Sequence, residues 1–235
     1  MNKYEYIDKY YNLYAYGEVD AEMEATGGFL IDQAKGRVLD CGCGPVPQLW
    51  TIFMPAMTEL YAIDLPQESI DFVNKKISTI HEWAGDFEGY KSFVESRVGA
   101  LPEDYISTQV SKIKSVSQAD MVKALPFDDW FFDTVISLYS LECLKNEKEL
   151  RDTIANIKRI LKPGGTLLHI NTNGENKNNV LPAYTWNGLN QSSTLLRELL
   201  EEQKFLITCE EVKLPQNDDS MYKYSKIYLM RAFKQ

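Results

Sequence analysis

The 235-residue chain has no long apolar run and no excess of basic residues. No stretch approaches the roughly 20 consecutive apolar residues that cross a bilayer. The start, MNKYEYIDKYYNLYAY, also lacks the pattern of a signal peptide, so we expect a soluble, cytoplasmic protein. Lysine and arginine number 25 against 34 aspartates and glutamates, a formal net charge of −9. Because nucleic-acid affinity depends on cations that neutralise phosphates, we predict a small-molecule partner and neither a nucleic-acid nor a membrane partner.

Cysteine and histidine are also scarce. The four cysteines are Cys41, Cys43, Cys143 and Cys209, and the two histidines are His81 and His169. Their scattered positions do not resemble a disulfide framework. Cys41 and Cys43 are one residue apart, so the CxxC spacing of zinc knuckles is absent. We therefore predict no metal site and interpret Cys41 and Cys43 as small side chains that pack in a turn.

The chain does contain alternating strand-like and helix-like segments, which are typical of an α/β fold with a mostly parallel sheet and flanking helices. The predicted strands are RVLDC, ELYAID, KIKSVSQAD, FDTVISLYSL and TLLHIN, followed by FLITCEEVKL and YSKIYLMRAF as a closing antiparallel pair. We predict one Rossmann-like domain over residues 1–235. Residues 1–34 are predicted to form an N-terminal helical cover, and residues 84–111 an insertion with its own helix or hairpin.

The segment GRVLDCGCGPVPQLW indicates a nucleoside-binding turn. Its predicted strand ends near Asp40 and turns through Gly42 and Gly44 into a helix, which is the crevice where parallel sheets bind nucleotides. A dinucleotide would need a third glycine for close helix packing, but Pro47 stands there. Asp40 would also repel a diphosphate. The pattern therefore favours a cationic nucleoside, S-adenosylmethionine, with Asp40 close to its positive charge; a tight turn without a ligand is the alternative.

Two further aspartates follow predicted strands. Asp64 ends the second strand about 20 residues later, where an acidic side chain accepts hydrogen bonds from ribose hydroxyls. Asp120 ends the third strand, where its carboxylate would accept from the adenine amino group and Met121 would cover the ring. A helix cap at Asp64 and an ordinary surface aspartate at Asp120 are the alternatives.

The ordered segments VLDCGCGP, ELYAIDLPQES, QADMVKALPF, FDTVISLYSLE and LKPGGTLLHIN resemble class I S-adenosylmethionine-dependent methyltransferases. More narrowly, YIDKYYNLY, the GCGP turn, the long insertion and SLECL resemble the nicotinamide, phenylethanolamine and thioether methyltransferase family. The resemblance covers nearly the whole chain and is loose after Asn171. It implies an enzyme that uses S-adenosylmethionine and releases S-adenosylhomocysteine.

The resemblance also implies where the cofactor is bound. The implied contacts are Tyr6 and Tyr11 over the cofactor, Gly42, Cys43 and Gly44 at its methionine end, Asp64 and Ser69 at the ribose, Asp120 and Met121 at the adenine, and Leu138 beside the reacting methyl group. Spacing alone also allows the N-terminal tyrosines to be a packing stripe.

Asn171 departs from the family pattern, because an acidic residue is expected there in members that methylate a pyridine nitrogen or an amine. An amide cannot balance a positive charge, so we predict N-methylation of a neutral amine or heteroaromatic nitrogen on a small molecule, positioned by Asn171. A small thiol or thioether acceptor, and a non-catalytic S-adenosylmethionine-binding protein, are the alternatives. Methyl transfer to a lone pair depends mainly on alignment. An acceptor that starts protonated would need a base, for which His169 and Glu142 are the candidates; a structural His169 is the other interpretation.

Overall fold

A computed structural model of the protein describes residues 19–172, 193–215 and 225–235. Its core is a seven-stranded sheet in the order β3-β2-β1-β4-β5-β7-β6. The strands are β1 (Gly36–Cys41), β2 (Met57–Asp64), β3 (Ile113–Gln118), β4 (Phe132–Leu138), β5 (Leu161–Asn171), β6 (Phe205–Lys213) and β7 (Lys226–Lys234). Strands β1 to β5 pair in parallel, whereas β7 is antiparallel to both β5 and β6. The predicted Rossmann-like fold with a closing antiparallel pair is confirmed.

Eight α-helices lie in the described part of the chain. They are α1 (Ala21–Gln33), α2 (Pro47–Ile52), α3 (Gln67–Ser78), α4 (Ile80–Trp83), α5 (Glu88–Val98), α6 (Tyr105–Ser111), α7 (Glu147–Ile160) and α8 (Ser193–Glu202). The segment predicted as an insertion contains a short 3₁₀ turn, α5 and α6, so it is helical. None of these helices is both long and apolar enough to span a bilayer.

Local sequence explains where the helices begin and end. Asp20 caps α1 by accepting a hydrogen bond from the Met23 amide at 2.8 Å, and Asn146 caps α7 in the same way through the Glu149 amide at 3.0 Å. Helix α7 ends at Ile160, three residues before Pro163. Strand β5 then begins directly at Leu161, earlier than the predicted TLLHIN segment.

Two apolar layers sandwich the sheet and leave its carboxyl edge for polar groups. On one face Val38 and Ile136 belong to a core with α1, α2, α5 and α6. On the other face Leu39 and Val135 belong to a core with α7 and α8. Since parallel strands all end at the same edge, this fold brings the residues that end β1, β2, β4 and β5 together.

Candidate active site

Two carboxyl groups lie at the carboxyl ends of β1 and β2, Asp40 buried and Asp64 half-buried. Asp40 is 1% exposed, and its Oδ2 atom has no hydrogen-bond partner among the described residues. Asp64 accepts a hydrogen bond from the Leu65 amide at 2.8 Å. Burial, and then the charge of Asp64, raises the pKa of Asp40 well above its usual value. Burial likewise raises the pKa of Asp64 to about 6.

This pair of carboxyl groups fits a cationic ligand. No cationic side chain is among the groups that shift the pKa of Asp40 or Asp64. Burying carboxylates without a positive partner costs several kcal/mol, and that cost is offset when a cation binds. S-adenosylmethionine carries an ammonium and a sulfonium group, so the residues present fit this cofactor electrostatically.

The two glycines of the turn face different surroundings. Both have left-handed backbones, with φ of 82° at Gly42 and 58° at Gly44. A Cβ at Gly44 would meet nothing within 4 Å. A Cβ at Gly42 would lie 2.4 Å from the Ser140 Cβ and 3.1 Å from the Met121 Cε. The Cβ side of Gly44 therefore borders open space, whereas the Cβ side of Gly42 is filled by Ser140 and Met121; a contact of the cofactor with either glycine stays a prediction.

The two cysteines of the turn are packing residues. Cys41 and Cys43 are both buried, and the Cys43 Sγ atom lies 3.3 Å from the Gly44 carbonyl oxygen. Burial, and then the charge of Asp40, raises the pKa of both thiols. The thiols are therefore protonated and unreactive at neutral pH.

The other residues implied to contact the cofactor differ in their burial and hydrogen bonds. Leu138 ends β4 and Ser69 lies in the first turn of α3, and both are buried. Asp120 accepts a hydrogen bond from the Val122 amide at 3.1 Å and pairs with Lys123 at 3.7 Å, so it stabilises its own turn. Tyr6 and Tyr11 lie outside the described residues.

Leu65 is a candidate contact with the cofactor that was not identified from the sequence. It directly follows Asp64 at the end of β2, and its side chain is 60% exposed and so accessible to a ligand. The available signal was an apolar residue immediately after the acidic end of β2.

A second group of polar side chains lies at the carboxyl ends of β4 and β5. Glu142 accepts hydrogen bonds from the Thr172 amide at 2.6 Å and the Thr172 hydroxyl at 3.1 Å. Burial raises the pKa of Glu142 to about 7, although the Thr172 bonds oppose that shift. The Tyr139 hydroxyl donates to the Glu22 carboxylate of α1 at 2.7 Å. Burial, and then the charge of Glu22, raises the pKa of Tyr139.

Glu22 and Tyr139 were not identified from the sequence. Tyr139 has a left-handed backbone, with φ of 57°, a conformation that is uncommon outside glycine and concentrated at functional sites. The first turn of α1 contains two acidic residues, Glu22 and Glu24, and Glu22 is buried. The two residues are 117 positions apart, so no local pattern connects them.

His169 and Asn171 are fully buried and two residues apart on β5, so they lie on one face of the strand. The His169 Nδ1 atom lies 2.9 Å from the Ser137 carbonyl oxygen. A carbonyl only accepts, so Nδ1 donates and the proton of the neutral ring is on Nδ1. Burial lowers the pKa of His169 to about 4. The His169 Nε2 atom and both amide atoms of Asn171 have no hydrogen-bond partner within the described ranges.

Within residues 19–172, 193–215 and 225–235, no group of three or more histidine, cysteine, aspartate or glutamate side chains is placed to hold a metal ion.

Part of the chain matches a known protein family, and the fold is similar to solved structures. Residues 102–169 match the family model described as a methyltransferase domain. A search of curated proteins found no match. An S-adenosylmethionine-dependent methyltransferase from Aquifex aeolicus is similar in structure, with a TM-score of 0.61, 14% identity and 100% coverage of both chains.

The fold is that of S-adenosylmethionine-dependent methyltransferases. One from Methanosarcina mazei has a TM-score of 0.57 and 15% identity, with 89% of this chain and 96% of that chain covered. The N-methyltransferase NodS from Bradyrhizobium japonicum has a TM-score of 0.58 and 15% identity, with 91% and 94% covered. The domain match and the shared fold support an enzyme with S-adenosylmethionine as its cofactor. The narrower resemblance to the nicotinamide, phenylethanolamine and thioether family stays a prediction.

Proposed function

We propose that the protein transfers the methyl group of S-adenosylmethionine to a nitrogen atom of a small-molecule acceptor. The observation that carries the proposal is the buried Asp40 together with the half-buried Asp64, neither of which has a cationic partner among the described side chains. Asp64 also accepts a hydrogen bond from the backbone of Gly44, where the turn borders open space. Such a pair is suited to a positively charged nucleoside and unsuited to a diphosphate.

Residues at the ends of β1 to β4 would hold the cofactor. Asp64 accepts hydrogen bonds from the ribose hydroxyls, with Ser69 beside it, and Asp40 balances the positive charge. Gly44 leaves room for the methionine end next to Cys43 and the backbone of Gly42. Bound S-adenosylmethionine would supply an electrophilic methyl group. The remaining assigned contacts are Asp120, Met121 and Leu65 at the adenine, Leu138 near the methyl group, and Tyr6 and Tyr11 as a cover.

Residues at the ends of β4 and β5 would hold the acceptor. Asn171 offers an amide donor and acceptor without charge, which suits a neutral nitrogen compound. Glu142 has a pKa of about 7, so it can take the proton of an amine that arrives as an ammonium ion and leave the lone pair free. His169, with a pKa of about 4, is a much weaker base, and we assign it a structural role.

The carboxyl groups of Glu142 and Glu22 favour a nitrogen acceptor over a thiol. A thiol reacts as the thiolate, and a thiolate would be repelled by Glu142 and Glu22. An amine or ring nitrogen that arrives neutral leaves Glu142 ionised, and it gains from that charge as positive charge moves onto it during methyl transfer.

The test begins with isothermal titration of the protein with S-adenosylmethionine and S-adenosylhomocysteine. Asp64→Ala is expected to weaken binding at least tenfold with an unchanged melting temperature, because the ribose loses its acceptor. Asp128→Ala, an exposed aspartate, is the matched control. An unchanged dissociation constant in Asp64→Ala would contradict the ribose assignment.

The acceptor is then sought with a panel of amines, azaheterocycles and thiols, read by release of S-adenosylhomocysteine. Turnover of nitrogen compounds ahead of thiols is expected. Faster turnover of thiols would contradict the nitrogen preference, and cofactor binding without turnover of any compound would favour the non-catalytic alternative.

A further inference from the structure

The turn that follows β4 contacts the cofactor turn directly through one side chain. Ser140 is buried, lies two residues after Leu138, and is 99 positions from the residue that it contacts in β1. We propose that Ser140 is a positioning residue that fixes the shape of the Gly42–Gly44 turn. This inference rests on the proposed function, since it assigns the residue that prepares the cofactor site.

A hydrogen-bond chain connects the two turns. The Ser140 hydroxyl donates to the Cys41 carbonyl oxygen at 2.6 Å. Its oxygen lies 2.7 Å from the Ser137 hydroxyl. Ser140 has one hydroxyl proton, which is used on Cys41, so Ser137 is the donor in the second bond. The Ser137 carbonyl oxygen in turn accepts from His169 at 2.9 Å. The Cys41 carbonyl group, the last of β1, is thereby held in place by residues of β4, β5 and the turn after β4.

The fit between Ser140 and Gly42 is steric as well as polar. A Cβ on Gly42 would lie 2.4 Å from the Ser140 Cβ and 2.8 Å from its Oγ, closer than real Cβ contacts come. On the other side, the Gly42 and Cys43 amides donate to the Ile63 carbonyl oxygen at 2.9 and 3.0 Å. The turn is therefore held between β2 and Ser140. Gly42 is required because Ser140 occupies the space, whereas the open side of Gly44 faces the ligand.

The position of Ser140 also connects the two halves of the site. Tyr139 precedes Ser140 and is hydrogen-bonded to Glu22. Glu142 follows two residues later and is hydrogen-bonded to Thr172. Both neighbours belong to the acceptor side. Ser140 therefore sets the cofactor turn relative to the residues that we assign to the acceptor, and methyl transfer is sensitive to displacements of about 1 Å.

The first variant removes only the hydroxyl. Ser140→Ala leaves the Cys41 carbonyl and the Ser137 hydroxyl without this partner, and we expect the dissociation constant of S-adenosylhomocysteine to rise at least tenfold while the melting temperature falls by only a few degrees. Ser92→Ala is the matched control, because the Ser92 hydroxyl makes an exposed bond to the Glu88 carbonyl oxygen. It is expected to bind as the wild type does.

A double-mutant cycle separates the steric role from general destabilisation. Gly42→Ala is expected to weaken S-adenosylhomocysteine binding at least 30-fold when Ser140 is present. In the Ser140→Gly background the same change should weaken it no more than about fivefold, which is the residual effect of placing alanine at a positive φ. A merely structural role for Ser140 would not produce this rescue.

These experiments distinguish a failure of the proposed function from a failure of the positioning role of Ser140. If the wild-type protein does not bind S-adenosylhomocysteine, the proposed function itself fails. If the wild type binds, an equal effect of Gly42→Ala in both backgrounds, together with a less than twofold effect of Ser140→Ala, overturns the positioning role alone. Should Ser140→Ala not fold, Ser140→Cys replaces it, with a rise of more than threefold expected and a rise of less than twofold counting against the proposal.

Discussion

The affinity for S-adenosylmethionine should rise with pH between pH 5 and pH 7. The ligand brings positive charge to Asp40 and donates its ribose hydroxyls to Asp64, so it binds best when both carboxyl groups are ionised. The pKa of Asp64 is raised to about 6, which makes about 10% of the group ionised at pH 5 and about 90% at pH 7 by ordinary titration. Asp64 alone therefore predicts a roughly tenfold stronger affinity at pH 7 than at pH 5.

Asp40 steepens this dependence, because its pKa is also raised well above its usual value. Two carboxyl groups that ionise on binding give a limiting slope of about 100-fold per pH unit, compared with about tenfold for one. The bound cation lowers both pKa values, so protons are released when the complex forms. Because the ligand is cationic, its affinity decreases as the pH falls.

Isothermal titration at pH 5, 6, 7 and 8 measures this dependence directly. At pH 6 the titration is repeated in two buffers with different ionisation enthalpies, which gives the number of protons released. Asp64→Asn should bind more weakly at pH 7 and show a flatter pH profile. An affinity that does not change between pH 5 and 7, or proton uptake at pH 6, would refute the electrostatic reasoning.

Two predictions concern the acceptor side. Asn171→Asp is expected to shift turnover toward cationic acceptors, and an unchanged ranking across a matched panel of amines, azaheterocycles and thiols would remove Asn171 from the acceptor site. Tyr139→Phe leaves the buried Glu22 carboxylate without one hydrogen bond, so we expect the free energy of unfolding to fall by about 1–3 kcal/mol in urea denaturation. Tyr228→Phe, which removes an exposed bond to Glu211, should change it by less than about 1 kcal/mol, and equal losses in the two variants would contradict the buried role of Tyr139.

The strands, and the positions of Asp40 and Asp64 at the ends of β1 and β2, could be predicted from the sequence because their signals are local. An aliphatic run that ends in Asp40 and turns through glycines is enough to indicate β1 and its crevice. The amphipathic pattern of α7 likewise predicts a helix that packs on the sheet. The start of β5 was predicted less accurately than its end, because Leu161 follows α7 directly and the pairing of β5 with β4 decides where the strand starts.

The contacts between the halves of the chain could not be predicted from the sequence. Whether a glycine faces the ligand or the protein depends on what packs against it, and Ser140 reaches Gly42 only after β4 pairs with β1. The bond between Glu22 and Tyr139 likewise joins residues that are 117 positions apart. A single sequence carries no periodicity that reports such contacts.

The order of the strands places the carboxyl groups assigned to the cofactor and the polar residues of β4 and β5 assigned to the acceptor in different halves of the chain. Strands β1 to β3 carry Asp40 and Asp64, whereas β4 and β5 lead to Glu142 and Asn171, and the halves meet where β1 pairs with β4. Pairing strands so distant in sequence is a slow step in folding, because a long loop must close first. The two proposed binding sites should therefore form together, late in folding. A chain that ends before β4 would contain Asp40 and Asp64 but would lack the residues assigned to the acceptor.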